Sequence, residues 1–251
     1  MPSKSQFKLN KEIEQFVLHK QSPYTQEEIA FVNRHSGYGG MWAFDAQLSD
    51  NPARGLYEYY TPIPVIEKMV GLAYKHGFTK GAILEPSCGI GRFLHYFNMD
   101  ENEVVAAEPD KVSYEIAKAN FAKATIWNMT FNEFFVDRRG KARSKAFWAD
   151  KYDLVIGNPP YGSFQGRFTT QEKKKFQVTT YVEYFILRGL MTLKKGGLLI
   201  YIVPSSFLDG SPTKAKEQIE AIGDLIDAYR LPKSIFDQTD IQTDVVVFKK
   251  K

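Results

Sequence analysis

The sequence predicts an α/β fold in which helices cover both faces of a seven-stranded, mostly parallel sheet. Short apolar runs rich in β-branched residues alternate with helical patterns of about ten to twenty residues, as in parallel sheets. The 251 residues are enough for one large domain with a modest appendage. We expect a helical and irregular N-terminal extension over residues 1–55, followed by one domain over residues 56–251.

Composition and charge are those of an ordinary globular protein, with 43% hydrophobic and 25% charged residues. No apolar run approaches the roughly 20 residues of a membrane span, and the N-terminus lacks the hydrophobic centre of a signal peptide, so we expect a cytoplasmic protein. The single cysteine, Cys88, excludes an intrachain disulfide and a Cys-rich zinc site. The four histidines lack ligand spacing, so we expect no metal.

The N-terminal extension contains one helical pattern. Thr25 suits a helix N-cap, and Ile29, Phe31 and Val32 supply an apolar face after it. The segment SGYGGMWAF at residues 36–44 is broken by glycines, so we expect it to be irregular.

From Tyr59 onward, strand and helix patterns alternate. We predict strands at residues 81–87, 103–110, 124–130, 152–160, 198–206, 225–232 and 244–251. We predict helices at residues 64–77, 91–98, 111–123, 179–197 and 213–223. The last strand suits an antiparallel position in an otherwise parallel sheet.

Polar segments follow three of the predicted strands. The segment EPSCGIG begins at Glu85, EPD begins at Glu108, and NPPY begins at Asn158. Ligands of parallel α/β sheets bind beyond the carboxyl ends of the strands. We therefore expect these three segments to form the functional site.

The segment after the first strand has features of a nucleoside-binding loop. Gly89 and Gly91 allow backbone N–H groups to approach a ligand, although an ordinary strand-to-helix turn has the same spacing. Glu108 ends the next strand about twenty residues later, where an acid can bind both hydroxyl groups of a ribose. The third glycine of a dinucleotide site is missing, and Phe93 stands two positions after Gly91. A nucleoside cofactor without a pyrophosphate fits this pattern better than a dinucleotide.

Four segments together resemble one enzyme family: YYTP at residues 59–62, LEPSCGIGRF at 84–93, AAEPD at 106–110 and GNPPYG at 157–162. In this order they are similar to the S-adenosylmethionine-dependent DNA adenine-N6 methyltransferases whose cofactor motifs precede an NPPY catalytic motif. The resemblance covers roughly residue 59 to the end, including the final hairpin region. It implies a Rossmann-like class I methyltransferase fold. Enzymes of this family are often part of restriction-modification systems. Upstream, FVNRHSGYGGMWAFD is similar to a segment that precedes the methylase part in enzymes of phages and conjugative elements.

The resemblance implies S-adenosylmethionine as cofactor, and a set of residues that would bind it. These are Tyr60, Thr61, Pro62, Glu85, Pro86, Ser87, Cys88, Gly89, Gly91, Glu108, Pro109 and Asn158.

The NPPY segment has the implied catalytic role, through Asn158, Pro159, Pro160 and Tyr161. An exocyclic aryl amine is a poor nucleophile because its lone pair is delocalised into the ring. The side-chain oxygen of Asn158 and the carbonyl of Pro159 can accept hydrogen bonds from its two N–H groups, which frees the lone pair. The prolines keep these acceptors rigid. Tyr161 would stack on a base turned out of the duplex.

Further residues are expected to contact the substrate. Thr130 and Phe131 stand where the family usually has an Asp-Phe pair that touches the adenine, so the acid is absent here. Positive charge is concentrated in two runs that flank the NPPY segment in sequence. From these runs, the expected phosphate contacts of the DNA are Arg138, Arg139, Lys141, Arg143, Lys173, Lys174 and Lys175.

Several alternatives stay open at this point. Protein-glutamine and RNA N-methyltransferases face a similar chemical problem, and a non-catalytic, methyltransferase-like subunit that binds nucleic acid would share the fold. The DNA enzymes usually carry a separate target-recognition domain, and we expect none in this sequence. Recognition would then come from loops, from the N-terminal extension, or from a separate specificity or recognition subunit.

Overall fold

The computed structural model describes residues 3–20, 23–39, 41, 44, 60–233, 235–236 and 241–251. A seven-stranded sheet of order β3–β2–β1–β4–β5–β7–β6 forms its centre. The strands are β1 Ala82–Glu85, β2 Glu103–Ala107, β3 Thr125–Trp127, β4 Tyr152–Gly157, β5 Leu193–Pro204, β6 Gly223–Arg230 and β7 Thr243–Lys250. The strands from β3 to β5 pair in parallel, whereas β7 lies antiparallel between β5 and β6. The predicted fold class and the antiparallel last strand are confirmed.

Helices flank this sheet. They are α1 Lys4–His19, α2 Gln26–Val32, α3 Ile63–Lys75, α4 Lys111–Asn120, α5 Lys145–Trp148, α6 Thr170–Lys175, α7 Tyr181–Thr192, α8 Ser206–Asp209 and α9 Lys214–Glu220. Among the described residues, 3₁₀ turns occupy Arg92–Tyr96 and Phe131–Phe134. In the described part of the chain, no helix is both long and apolar enough to cross a membrane.

Two hydrophobic clusters cover the two faces of the sheet. In β4, Leu154 and Ile156 belong to one cluster, together with residues of α3, and Val155 belongs to the other, together with residues of α7. Successive side chains of a strand point to opposite faces, so both faces of β4 are buried. The carboxyl end of this strand is thereby held at a defined place between two helical layers.

The N-terminal helices pack on α4. Ile13 and Val17 of α1 and Val32 of α2 form a third cluster with Val112 and Ile116 of α4. The predicted helix after Thr25 is observed as α2. It begins there because the Thr25 hydroxyl and Glu28 form a capping box. Of the predicted irregular segment, residues 40, 42 and 43 lie outside the described residues, as does the expected boundary between residues 55 and 56.

Four predicted elements are corrected. The helix expected at residues 91–98 is only a 3₁₀ turn, because the chain is already extended at Phe97. The helix expected at residues 179–197 ends at Thr192. Leu193 pairs with Tyr152 there, so β5 begins five residues earlier than expected and its register shifts before Leu198.

The strand expected at residues 124–130 is shorter for a similar local reason. Backbone pairing ends at Trp127, whose carbonyl accepts a hydrogen bond from the backbone N–H of Met129. The next side chain, Asn128, turns back to the carbonyls of Glu108 and Pro109. The carboxyl end of β3 is thus tied to the carboxyl end of β2.

Candidate active site

A cavity of about 1020 Å³ opens at the carboxyl ends of β1, β2 and β4. These strands are neighbours in the sheet, so the polar residues that follow them meet there. Glu85, Glu108 and Asn158, one from each strand end, all line the cavity. Its volume is at the upper end of the range for small-molecule sites, which is about 300–1,000 Å³.

The loop after β1 folds back onto the end of β2. Gly89 has a φ of +54°, and a Cβ atom there would lie 3.0 Å from a ring carbon of Tyr60. The Gly89 N–H donates to Glu108 Oε2 at 2.9 Å, and the Cys88 N–H donates to the Ala107 carbonyl at 3.0 Å. Both the backbone conformation and this contact therefore favour glycine at position 89.

Two buried carboxylates face this loop. Burial raises the pKa of Glu108 to about 7, although backbone N–H groups of Gly89 and Asp110 donate to it. Burial, and then the charge of Glu108, raises the pKa of Glu85 well above its ordinary value. Glu85 is 1% exposed, and its Oε2 has no hydrogen-bond partner among the described residues. Such a pair fits a ligand that brings its own donors, such as the hydroxyl and ammonium groups of S-adenosylmethionine.

The NPPY segment begins where β4 ends. Its Asn158 carbonyl accepts a hydrogen bond from Ser87 Oγ at 3.2 Å, which joins it to the loop after β1. Asn158 and Pro160 line the cavity, whereas Pro159 is buried and does not line it, so the acceptor role of the Pro159 carbonyl stays a prediction. The Tyr161 hydroxyl donates to Asn158 Oδ1 at 3.2 Å, and the Tyr161 ring packs against both main hydrophobic clusters.

Tyr161 therefore does not line the cavity in this structure, although stacking on a base requires that it should. Burial raises the pKa of its phenol above the ordinary value, so the hydroxyl stays protonated and remains a donor. The stacking role stays a prediction that requires the ring to turn toward the cavity.

Aromatic side chains form the wall of the cavity beyond Asn158. Phe131 is 2% exposed, and its ring centre lies 4.9 Å from that of Phe185. Phe164 stacks on Tyr184 with 4.2 Å between ring centres and 18° between planes. The Thr130 hydroxyl, expected to reach the base, instead donates to Glu133 Oε2 and caps the 3₁₀ turn.

A strap, residues 163–168, follows the NPPY segment and is tied to the loop after β3. The Asn132 side chain donates to the Arg167 carbonyl at 2.7 Å and accepts from the Arg167 N–H at 3.0 Å. The Arg167 guanidinium donates to the Arg138 carbonyl at 2.6 Å. Because Phe164, Gln165 and Arg167 line the cavity, the strap forms part of its wall.

Buried Arg188 anchors the segment after the strap. The side chain is fully buried on α7, and it pairs with Glu172 at 2.8 Å. Its guanidinium carbon lies 4.3 Å from the ring centre of Phe135 and 5.5 Å from that of Phe168. A buried cation is costly unless it is paired, so removing Glu172 from Arg188 would leave an uncompensated buried charge.

The predicted DNA-contacting cations divide into two groups. Arg138 pairs with the Glu133 carboxylate at 2.6 Å, and Arg143 donates to the Glu133 carbonyl at 2.5 Å, so both help to hold the loop. Arg139 and Lys141 are exposed at the tip of the turn, and Lys173 and Lys175 are exposed on α6. Of these residues only Arg138 lines the cavity. The side chain of Lys174 lies outside the described residues.

The predicted cofactor-binding residues are largely brought together. All of them except Pro62 and Gly91 line the cavity. Pro62 is the N-cap of α3. Gly91 has a φ of +86°, and a Cβ atom there would lie 2.5 Å from the ring of Phe121, so its role in this structure is to allow close packing.

Sequence reasoning missed several residues of the cavity wall. Asn128 directly follows β3, so its position at a strand end could have indicated it, and Asp110 belongs to the predicted EPD segment although no role was assigned to it. Asn132, Phe164 and Arg167 carry no comparable signal, because their places depend on contacts between distant loops. Among the described residues, no group of three or more His, Cys, Asp or Glu is placed to hold a metal ion.

The sheet order and the glycine and acid site at its carboxyl edge define the fold of class I S-adenosylmethionine-dependent methyltransferases. A Listeria monocytogenes structure assigned to that class superposes with a TM-score of 0.62 at 15% identity, over 96% of this chain and 80% of that chain. The M protein of the type I restriction enzyme EcoKI superposes with a TM-score of 0.55 at 19% identity, over 98% of this chain and 61% of that chain.

Residues 51–229 match the family of Eco57I restriction-modification methylases, so the chain belongs to that family. This match confirms the methyltransferase resemblance read from the four motifs.

Curated relatives are longer than this chain. The defense against restriction protein B of Escherichia phage P1 is 31% identical over 90% of this chain and 9% of its own length. The type II methyltransferase M.HincII of Haemophilus influenzae is 27% identical over 64% of this chain and 30% of its own length. The modification methylase CviBIII of Paramecium bursaria Chlorella virus NC1A is 27% identical over 76% and 49%, respectively. The chain thus spans less than half the length of each of these proteins.

Proposed function

We propose that this protein transfers a methyl group from S-adenosylmethionine to the N6 amine of an adenine that has been turned out of a DNA duplex. The observation that carries the proposal is the continuity of the cavity. Gly89 and Glu108, beside which the methyl donor would bind, line the same cavity of about 1020 Å³ as Asn158, Phe131 and Phe164, beside which the base would bind. A methyl donor and an acceptor base can therefore occupy it side by side.

The donor half would be held by the two buried acids. S-Adenosylmethionine supplies a methyl group on a positively charged sulfur. The Glu108 carboxylate suits the two hydroxyl groups of the ribose. Glu85 offers an unpartnered acceptor oxygen to the ammonium group, whose positive charge would favour the ionised form of this carboxyl group. Asn128 and Asp110 complete this side of the wall.

The acceptor half would be governed by Asn158. Its side-chain oxygen and the Pro159 carbonyl would accept hydrogen bonds from the two amine N–H groups, so that the nitrogen lone pair becomes available. The amine nitrogen then bonds to the methyl carbon while the carbon–sulfur bond breaks and the sulfur keeps the bonding electrons. The nitrogen afterwards loses one proton to water. Alignment and two rigid acceptors supply the catalysis in this account.

Tyr161 links base binding to the freeing of Asn158. Its hydroxyl donates to Asn158 Oδ1, which is the oxygen required by the amine. If the ring turns into the cavity to stack on the base, the same movement removes this hydrogen bond. Arrival of the base and exposure of the acceptor would then occur together.

DNA is the favoured substrate for two reasons. The chain belongs to a restriction-modification methylase family, and exposed Arg139 and Lys141 extend from a turn next to cavity-lining Arg138. Such cations suit phosphate contacts, which add affinity without reading sequence. We assign the reading of the base sequence to a separate specificity or recognition subunit or segment.

The proposal is tested by incubating the protein with tritiated S-adenosylmethionine and separate pools of DNA, RNA and protein, followed by nucleoside and amino-acid analysis. We expect label in DNA, as N6-methyladenine. Label in N4-methylcytosine would contradict the adenine assignment, and label in RNA or in glutamine would contradict DNA as substrate. Cofactor binding without transfer to any pool would favour a non-catalytic subunit.

A further inference from the structure

Tyr60 stands between the N-terminal segment and the glycine loop of the cofactor site. Its ring lines the cavity and contacts Gly89 so closely that a Cβ atom at residue 89 would lie 3.0 Å from it. The Arg92 guanidinium carbon lies 5.1 Å from the centre of the same ring. Any change in the orientation of Tyr60 would therefore change the wall of the cofactor half of the cavity.

Two buried residues hold the Tyr60 hydroxyl. His35 Nδ1 lies 2.9 Å from it, and Ser113 Oγ lies 3.0 Å from it. His35 is fully buried, and Ser113 is 1% exposed in the first turn of α4. The hydroxyl is thus held by the N-terminal segment and by the sheet domain together.

His35 is in turn held in place by α1. The buried Asn10 side chain donates to the Gly37 carbonyl at 2.5 Å and accepts from the Ser36 N–H at 3.2 Å. Glu14 accepts from the Tyr38 hydroxyl at 2.8 Å, and the Tyr38 ring packs edge-on against His35 at 5.7 Å. Buried polar groups are costly unless they are hydrogen-bonded, so these contacts favour one conformation of the segment.

We infer that His35 is a positioning residue of the cofactor site, which acts by holding the Tyr60 ring against the Gly89 loop. The N-terminal segment is then a part of the cofactor site rather than an appendage. This inference rests on the proposed use of S-adenosylmethionine. It assigns His35 no contact with the cofactor, only with the Tyr60 hydroxyl.

The test measures the affinity for S-adenosylmethionine and S-adenosylhomocysteine by calorimetry. His35→Ala and Tyr60→Phe each remove the hydrogen bond, and we expect each to weaken binding about five- to tenfold. Because Tyr60→Phe removes the His35 contact together with the Ser113 contact, the double variant should bind no more weakly than Tyr60→Phe. His35→Asn, whose amide can replace Nδ1, should restore the affinity to within about twofold of wild type.

Tyr24→Phe is the matched control, because it removes a tyrosine hydroxyl contact of the N-terminal segment, to the Lys20 carbonyl, but leaves the contacts of His35 and of the Tyr60 hydroxyl untouched. It should lower the melting temperature and leave cofactor affinity unchanged. Wild-type affinity in Tyr60→Phe, or additive losses in the double variant, would overturn the inference, even if His35→Ala failed to fold. A wild-type protein that binds neither compound would contradict the proposed function itself, and the inference with it.

Discussion

Two buried carboxylates dominate the chemistry of individual residues at this site. Glu85 ends β1 and Glu108 follows the neighbouring β2, so the sheet brings these two buried side chains to the same edge. In both groups burial is the largest cause of the raised pKa. The Glu108 shift, from 4.5 to about 7, means that the unliganded protein loses stability as pH rises through that window, because the unfolded carboxyl group ionises first. A ligand that brings donors offsets this cost.

The raised pKa of Glu108 predicts pH-dependent cofactor binding. Ribose hydroxyl groups donate to the ionised carboxylate, so S-adenosylhomocysteine affinity should fall as pH drops below about 7, by at most tenfold per pH unit. Glu85, Asp110 and Cys88 are the other titratable groups next to Glu108. Calorimetry between pH 5.5 and 8.5 measures the effect.

The control is Glu108→Gln, which should bind weakly and show a much flatter pH dependence. Equal affinity of the wild-type protein at pH 5.5 and 8.5 would show that an ionised Glu108 is not needed.

Among the loops and helices, the turn between residues 136 and 142 is built to expose charge. An isolated antiparallel bridge joins Val136 to Ala142, and the Asp137 carboxylate accepts from the N–H groups of Arg139 and Lys141. Arg138 is held by Glu133. The exposed side chains at the tip are thus presented on an ordered turn.

This arrangement predicts which cations matter for DNA. Arg139→Gln/Lys141→Gln should weaken DNA binding and reduce the slope of log K against log salt concentration by about 2, because each phosphate contact contributes roughly 0.9. Electrophoretic or fluorescence titrations at several salt concentrations measure this slope.

Lys80→Gln/Lys195→Gln carries the same change in net charge at the opposite edge of the sheet, just before β1 and near the start of β5. It should leave the slope unchanged. If both double variants change the slope equally, net charge rather than the turn is responsible.

The secondary structure of these elements was predictable to different degrees. Apolar patterns located β4, α4 and α7: β4 and α7 are buried nearly all round, and the buried residues of α4 recur at helical spacing. The 3₁₀ turn at Arg92–Tyr96 cannot be distinguished from a short α-helix by its sequence, because five residues carry too little periodicity. The early start of β5 depends on pairing of Leu193 with Tyr152, a contact between residues far apart in sequence.

In the whole molecule, the site could be located from sequence because parallel strands bring their carboxyl ends to one edge. That rule placed Glu85, Glu108 and Asn158 in one cavity before any coordinates were considered. It could not place the contact between Asn132 and Arg167 of the strap, the buried Arg188 or the inward position of Tyr161. Each of these depends on side-chain packing between segments that follow no common period.

The central claim is that Asn158 makes the target amine reactive by accepting a hydrogen bond from one of its N–H groups. The most direct measurement is the single-turnover rate of methyl transfer to DNA by Asn158→Ala, with cofactor affinity determined on the same preparation. We expect the rate to fall by about a hundredfold or more and the affinity to stay within a few fold, because one preorganised hydrogen-bonding group is lost. Asn98→Ala, at an exposed turn, should retain both values. An Asn158→Ala protein that transfers methyl groups at the wild-type rate would contradict the account.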